Sequence, residues 1–158
     1  MDKKPLNIGI IGLGTVGMGL IKCLTINKKI IKSKSEREIF IAAICAKNKN
    51  KKRDVDIGNL KWVQDPFDII DDKEIDLVVE LIGGDENPSK SIVEKSLLNK
   101  KHVVTANKAL IAKHGHYLAL LAEEQKVCLN FEAAVAGAIP IIKAIKESLS
   151  GNVISKVY

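Results

Sequence analysis

Arginine is nearly missing from this chain of 158 residues: Arg37 and Arg53 stand against 23 lysines. Aromatic residues are also scarce, at 4%. Reading nucleic acid takes guanidinium forks for phosphates and base edges, or flat rings on which bases stack. With neither in supply, the net charge of +6, spread over lysines scattered among Ile and Asn, is not that of a nucleic-acid binder. Cysteine is limited to Cys23, Cys45 and Cys128, an odd number with no paired spacing. That excludes a disulfide framework and a thiolate metal site, and the apolar surroundings predict three reduced core residues in a cytoplasmic protein. No apolar run has the length of a bilayer span, so a soluble chain is expected. Lys3 and Lys4 before an apolar stretch have the outline of a secretory signal. Glycines at 9, 12, 14, 17 and 19 break any apolar helix there, and no cleavage site follows. No Ser-His-Asp grouping, HExxH, P-loop, solenoid repeat or low-complexity linker occurs.

What is present is organised around Leu6 to Gly17. An apolar, β-branched run breaks into Gly12-Leu13-Gly14-Thr15-Val16-Gly17, and a segment of helical character follows. Strand, tight turn and helix in that order, with glycines at this spacing, predict a dinucleotide-binding loop. Gly12 allows the turn, Gly14 lets a pyrophosphate approach the backbone, and Gly17 lets the helix pack close to the strand. The free N–H groups and dipole of the helix start then face the phosphates. The 46% hydrophobic content suffices for one good core, hence one domain.

The rest of the chain alternates strand and helix. The first helix is expected from Thr15 to about Asn27, with Lys28 to Arg37 a polar connection and Glu38 to Ala46 the second parallel strand. Asp65-Pro66 signals a short helix through about Asp71, with Asp as cap and Pro in the first turn. Strands are expected over Ile75 to Ile82, His102 to Thr105 and Val127 to Phe131. Helices are expected from Pro88-Ser89 to about Lys100, from Ala106 or Asn107 to Glu124, and from Ile139 to Leu149. The long helix is expected to bury Leu110, Ile111, Leu118, Leu120 and Leu121 on one face. The pattern is that of a Rossmann-type, doubly wound α/β fold: a mostly parallel sheet with helices on both faces. The second strand leads into Lys47-Asn48-Lys49-Asn50-Lys51-Lys52-Arg53, with no carboxylate before Asp54. An acidic residue there selects NAD through the ribose hydroxyl, and a basic one suits the 2′-phosphate of NADP; NADP(H) is therefore favoured over NAD(H), with Lys47 as its contact. His114 and His116, two apart on a helix, face different ways and form no metal pair. His102 reads as structural and Trp62 as a packing anchor.

Four segments together resemble homoserine dehydrogenase, in the family's order and spacing: Gly12 to Gly17; Val79-Glu80-Leu81-Ile82-Gly83-Gly84; Lys101-His102-Val103-Val104-Thr105-Ala106-Asn107-Lys108; and Phe131-Glu132-Ala133-Ala134-Val135-Ala136-Gly137. The family interconverts L-homoserine and L-aspartate 4-semialdehyde with NAD(P), on the route to threonine, methionine and isoleucine. The resemblance covers its cofactor domain, residues 1–152, with 153–158 beginning the connection to a substrate-binding and dimerising domain absent here. It implies a homodimer formed through that domain, a small-molecule substrate, and little or no turnover by this part alone.

The resemblance also assigns residues. Gly12, Gly14, Thr15, Val16 and Gly17 would hold the pyrophosphate, and Gly83 and Gly84 the loop over the cofactor. Thr105 and Asn107 would shape the loop before Lys108. Lys108 matches the family's lysine near nicotinamide and substrate, where a cation stabilises alkoxide character during hydride transfer. Glu132, Val135, Gly137 and Ile139 correspond to a loop that encloses a monovalent cation such as sodium, mainly with backbone oxygens. Ala138 departs from the family's Gly-Gly-Ile-Pro. Two alternatives stay open: another Rossmann dehydrogenase of a small substrate, and a non-catalytic nucleotide-binding sensor. Sugar-oxidoreductase relatives carry Glu-Lys-Pro where this chain has Ala106-Asn107-Lys108.

Overall fold

The computed structural model describes residues 3–156. Five strands form one parallel sheet: β1 (Leu6–Ile11), β2 (Ile39–Cys45), β3 (Leu77–Glu80), β4 (His102–Thr105) and β5 (Leu129–Asn130), in the order β2-β1-β3-β4-β5. The chain runs from β1 outward to β2, then crosses to β3 on the other side and continues to β4 and β5. The carboxyl ends of β1 and β3 therefore flank the point where strand order reverses, which is where open α/β sheets leave a crevice.

Side-chain alternation shows that both faces of the sheet are covered. On β1, Ile8 and Ile10 pack with Leu13 and Ile21, while Ile11 packs with Ile69, Ile70 and Ile92. On β3, Val78 and Val79 separate in the same way. α1 (Thr15–Ile26) covers the first face, and α3 (Pro66–Asp71) and α4 (Ser89–Leu98) the second. α5 (Lys108–Gln125) extends that second layer over β4 and β5, where Leu110, Leu118 and Leu121 meet Val103 and Leu129.

Several elements differ from expectation. The lysine-rich stretch after α1 is a helix, α2 (Lys28–Ser35). Lysine is a good helix former, and Lys28 and Lys32, one turn apart, both reach the Glu38 carboxylate, at 2.7 and 3.6 Å. β3 and β5 are shorter than their apolar runs because the ends belong to turns; the Ile75 N–H, for instance, donates to Asp72 O. The last helix begins two residues late, as α6 (Ile141–Lys143), and passes into a π-helical turn over Ala144–Ser148. Pro140, which has no N–H, stands just before it. Leu120 is exposed: it follows Leu118 by two residues, about 200° round the helix, so both cannot face the sheet. Cys45 is buried as expected, but Cys23 and Cys128 are exposed, and all three are free. α3 matches closely, with Asp65 Oδ1 accepting from the Phe67 N–H at 2.9 Å.

Candidate functional site at the carboxyl edge of the sheet

A cleft of about 780 Å³ opens at the reversal point. Its floor comes from Ile11 to Gly14, one wall from Cys45 to Asn48 with Lys51 and Arg53, and the other from Leu81, Ile82 and Pro88. Gly12 has φ +106°, and a Cβ there would lie 2.5 Å from Leu81 O. A Cβ on Gly17 would lie 2.1 Å from Gly12 O. Side chains at either position would drive α1 and the β3 loop away from the turn. Gly14 differs: a Cβ there meets nothing within 4 Å, so it would enter the open cleft. Gly14 is also the cap of α1, whose first turn carries no acidic residue and no side-chain cap among the described residues. The exposed Thr15 and Val16 begin that turn. Backbone N–H groups at a helix start, beside room for an atom, are the donor set that an anion takes.

The second wall is basic and tightly wound. Arg53 donates to Asn48 O at 2.7 Å, Lys51 O at 2.9 Å and Lys49 O at 3.1 Å. Its guanidinium lies 5.4 Å from the centre of the Trp62 ring. Trp62, expected as an anchor, does pack beneath β2, bridging to Ile44. Arg53 therefore folds the loop, and Lys47 and Lys51 are left exposed along the cleft. The Cys45 thiol, at the foot of this wall, is pushed up to about 11 by burial, with Asp65 and Asp68 adding to the effect.

Beyond β3 lies a polar junction whose loop residues were expected from the sequence but whose centre, Glu80, sequence reasoning passed over. The Glu80 carboxylate is fully buried. Its Oε1 accepts from the Ile82 N–H at 2.8 Å and the Gly83 N–H at 3.4 Å, and its Oε2 from the Thr105 hydroxyl at 2.6 Å. Thr105 Oγ1 in turn accepts from the Asn107 N–H at 3.0 Å. Asn107 caps α5 through Leu110 N and donates its amide to Gly84 O at 2.5 Å. Ser89 donates to Gly83 O, and Lys113 bonds both Asp85 and Glu86. Lys113 holds the carboxyls of Asp85 and Glu86 below their ordinary range. Gly83, Gly84, Thr105 and Asn107 thus form one hydrogen-bonded group, with Lys108 exposed at its rim as the first residue of α5. The signal in sequence was an acidic residue ending an otherwise apolar strand.

Glu132 to Ile139 lies apart from the cleft wall, past β5. The Glu132 carboxylate accepts from the N–H groups of Ile142 and Lys143, and so caps α6. The backbone oxygens of Glu132 and Ile139 accept from Val135 and Ile141. Left-handed backbone falls at Ala136 (φ 50°) and Gly137 (φ 47°). Among the described residues, no group of three or more His, Cys, Asp or Glu is placed to hold a metal. Nor is any described helix long and apolar enough to cross a membrane.

Residues 12–132 match the family model described as homoserine dehydrogenase, NAD binding domain. The chain belongs to that family. It is 46% identical over 154 residues to the homoserine dehydrogenase of Neisseria gonorrhoeae, which covers 98% of this chain and 35% of that protein. The crystal structure of a homoserine dehydrogenase from Thiobacillus denitrificans superposes with a TM-score of 0.88 at 44% identity, covering 96% of this chain and 35% of the other. A hyperthermophilic archaeal homoserine dehydrogenase, solved in complex with NADPH, superposes at 0.76 with 25% identity, over 94% of this chain and 50% of its own. The chain thus spans about a third of the length of the bacterial relatives. The Rossmann fold and a nicotinamide dinucleotide as the domain's ligand accord with this membership.

Proposed function

We propose that the chain is the cofactor-holding part of an enzyme that interconverts L-homoserine and L-aspartate 4-semialdehyde, and that it takes NADP(H) in preference to NAD(H). The observation that carries this reading is the cleft itself: an open Gly14 at a helix start, facing a wall that carries Lys47 and Lys51. Gly12 to Gly17 would hold the pyrophosphate, with Thr15 and Val16 contributing N–H groups, and Lys47 the 2′-phosphate. When bound, the nicotinamide supplies the hydride acceptor or donor. Lys108 would stand beside the reacting oxygen, its ammonium stabilising negative charge that develops there. Gly83, Gly84 and Thr105 would bound the nicotinamide end. The NADPH complex of the archaeal relative adds support for the 2′-phosphorylated form.

The substrate-binding and dimer-forming parts we place in the further two thirds of the relatives' length, and the enzyme in the cytoplasm. Glu132, Val135, Gly137 and Ile139 we retain as a monovalent-cation loop. A carbonyl has a second lone pair, so the hydrogen bonds at Glu132 and Ile139 leave room for such a ligand. The test of the cofactor reading is a fluorescence titration of the chain with NADPH and NADH, repeated on Lys47→Glu. The expected outcome is tighter NADPH binding that the substitution weakens by about tenfold or more, with NADH little changed. Equal loss for both nucleotides would remove Lys47 from the 2′-phosphate.

A further inference from the structure

We infer that Glu80 is a positioning residue for the nicotinamide end of the site: it locks the Gly83-Gly84 loop and the Thr105 to Lys108 turn into one unit. This rests on the cofactor reading above. The sheet order places β2, with its lysine wall, on one side of β1, and β3 and β4 on the other. A dinucleotide whose adenosine half lies over β2 must carry its other half across the ends of β3 and β4. Both loops that meet it there are held by the same carboxylate: Oε1 takes the N–H groups of Ile82 and Gly83, and Oε2 takes the Thr105 hydroxyl.

The chemistry requires an acceptor on both oxygens. All three partners donate, because Thr105 Oγ1 already accepts from Asn107 and has its proton free for Glu80. Asn107 closes the circuit by donating to Gly84 O. A shift at Glu80 therefore reaches Lys108 by two routes, through Thr105 and through Gly84, although Glu80 is itself sealed from the cleft. Glutamine has nearly the same shape but serves less well. Turned one way, its NH2 group faces the Ile82 and Gly83 N–H donors; turned the other, it takes the second lone pair of the Thr105 hydroxyl and leaves that hydroxyl's proton without its acceptor. In both cases the negative charge that strengthens all three bonds is gone.

The experiment compares the chain with Glu80→Gln and Thr105→Val, measuring affinity for NADPH and for 2′,5′-ADP, which carries the adenosine end alone. A positioning role predicts that both variants lose about tenfold in NADPH affinity and keep 2′,5′-ADP within about twofold. A purely structural role would weaken both ligands together with the melting temperature, and that result overturns the inference, as does unchanged NADPH binding. If Glu80→Gln does not fold, the split or its absence in Thr105→Val decides. An unsubstituted chain that binds neither ligand would overturn the cofactor reading instead.

Discussion

Single residues divide this site into parts that build it and parts that leave it open. Gly17 has no room for a methyl group, and Gly14 has nothing but room. Gly17→Ala is expected to cost about 1–3 kcal/mol of stability through overpacking, visible as a lower denaturation midpoint. Gly14→Ala should melt within about 0.5 kcal/mol of the parent yet lose NADPH affinity if its methyl group enters the space proposed for the phosphates. Cys45 makes a second residue-level case. At pH 8, Cys23 and Cys128 should react quickly with a disulfide reagent and Cys45 only on unfolding, since they are exposed and it is buried. Burial raises the Cys45 thiol from 9.0 to about 11. The folded state therefore holds that proton where the unfolded state releases it. The stability linked to neutral Cys45 is complete below pH 9.0 and is lost as pH rises from there through about 11. Melting curves across that window should fall less steeply for Cys45→Ala. That Gly12 forms the turn and Gly17 packs tightly against it was legible in the sequence, because the strand-turn-helix spacing sets both. The exposure of Cys23 and Cys128 was not, because it depends on which helix face and which strand end meet water.

Elements show the same division between the two ends of the sheet. At the end away from the cleft, Lys101 just before β4 is buried, its ammonium donating to Asp72 O at 2.7 Å and Ile75 O at 2.6 Å. It fastens the turn between α3 and β3 to the start of β4. Burial lowers the Lys101 pKa, with the nearby carboxylates opposing that shift. Lys101→Ala should cost about 1–3 kcal/mol by leaving the buried Ile75 carbonyl without the Lys101 donor and the Asp72 carbonyl with only the Ile75 N–H, seen by chemical denaturation, while NADPH affinity holds. The sequence disclosed the strands and helices through apolar runs and caps; Asp65-Pro66 identified α3 to the residue. It concealed α2, because a helix polar on nearly every side has no apolar stripe, and its ties to Glu38 become visible only when β2 is in place. It concealed Lys101 and Glu80 for a related reason. A charged residue flanking an apolar run looks like a solvated end until the fold closes over it.

For the whole molecule, parallel strands alternating with helices made the architecture legible, since a chain of this pattern has few ways to bury both faces of a sheet. The cleft's location followed from the strand order. The junction around Glu80 did not, because it joins residues 25 apart in sequence through hydrogen bonds that no periodicity encodes. Lys108 is exposed in the first turn of α5, so water reaches its ammonium freely. This chain by itself is therefore expected to bind NADPH but to oxidise L-homoserine at no measurable rate. The check is nicotinamide absorbance at saturating NADP and homoserine, and turnover would mean that the chain contains a complete reaction site.

The contact between Gly12 and the carbonyl of Leu81 has a kinetic consequence. The Gly12 turn and the start of the loop after β3 meet at a spot too narrow for a methyl group, and the Leu81 N–H donates to Ile11 O at 2.8 Å while the Gly12 N–H donates to Cys45 O at 2.8 Å, so this side of the crevice is tied together by the sheet's own backbone. The entropy of assembling it is lost during folding, before any nucleotide arrives. Association should then be a single fast phase whose rate rises linearly with nucleotide concentration, without the plateau that marks a slow closing step.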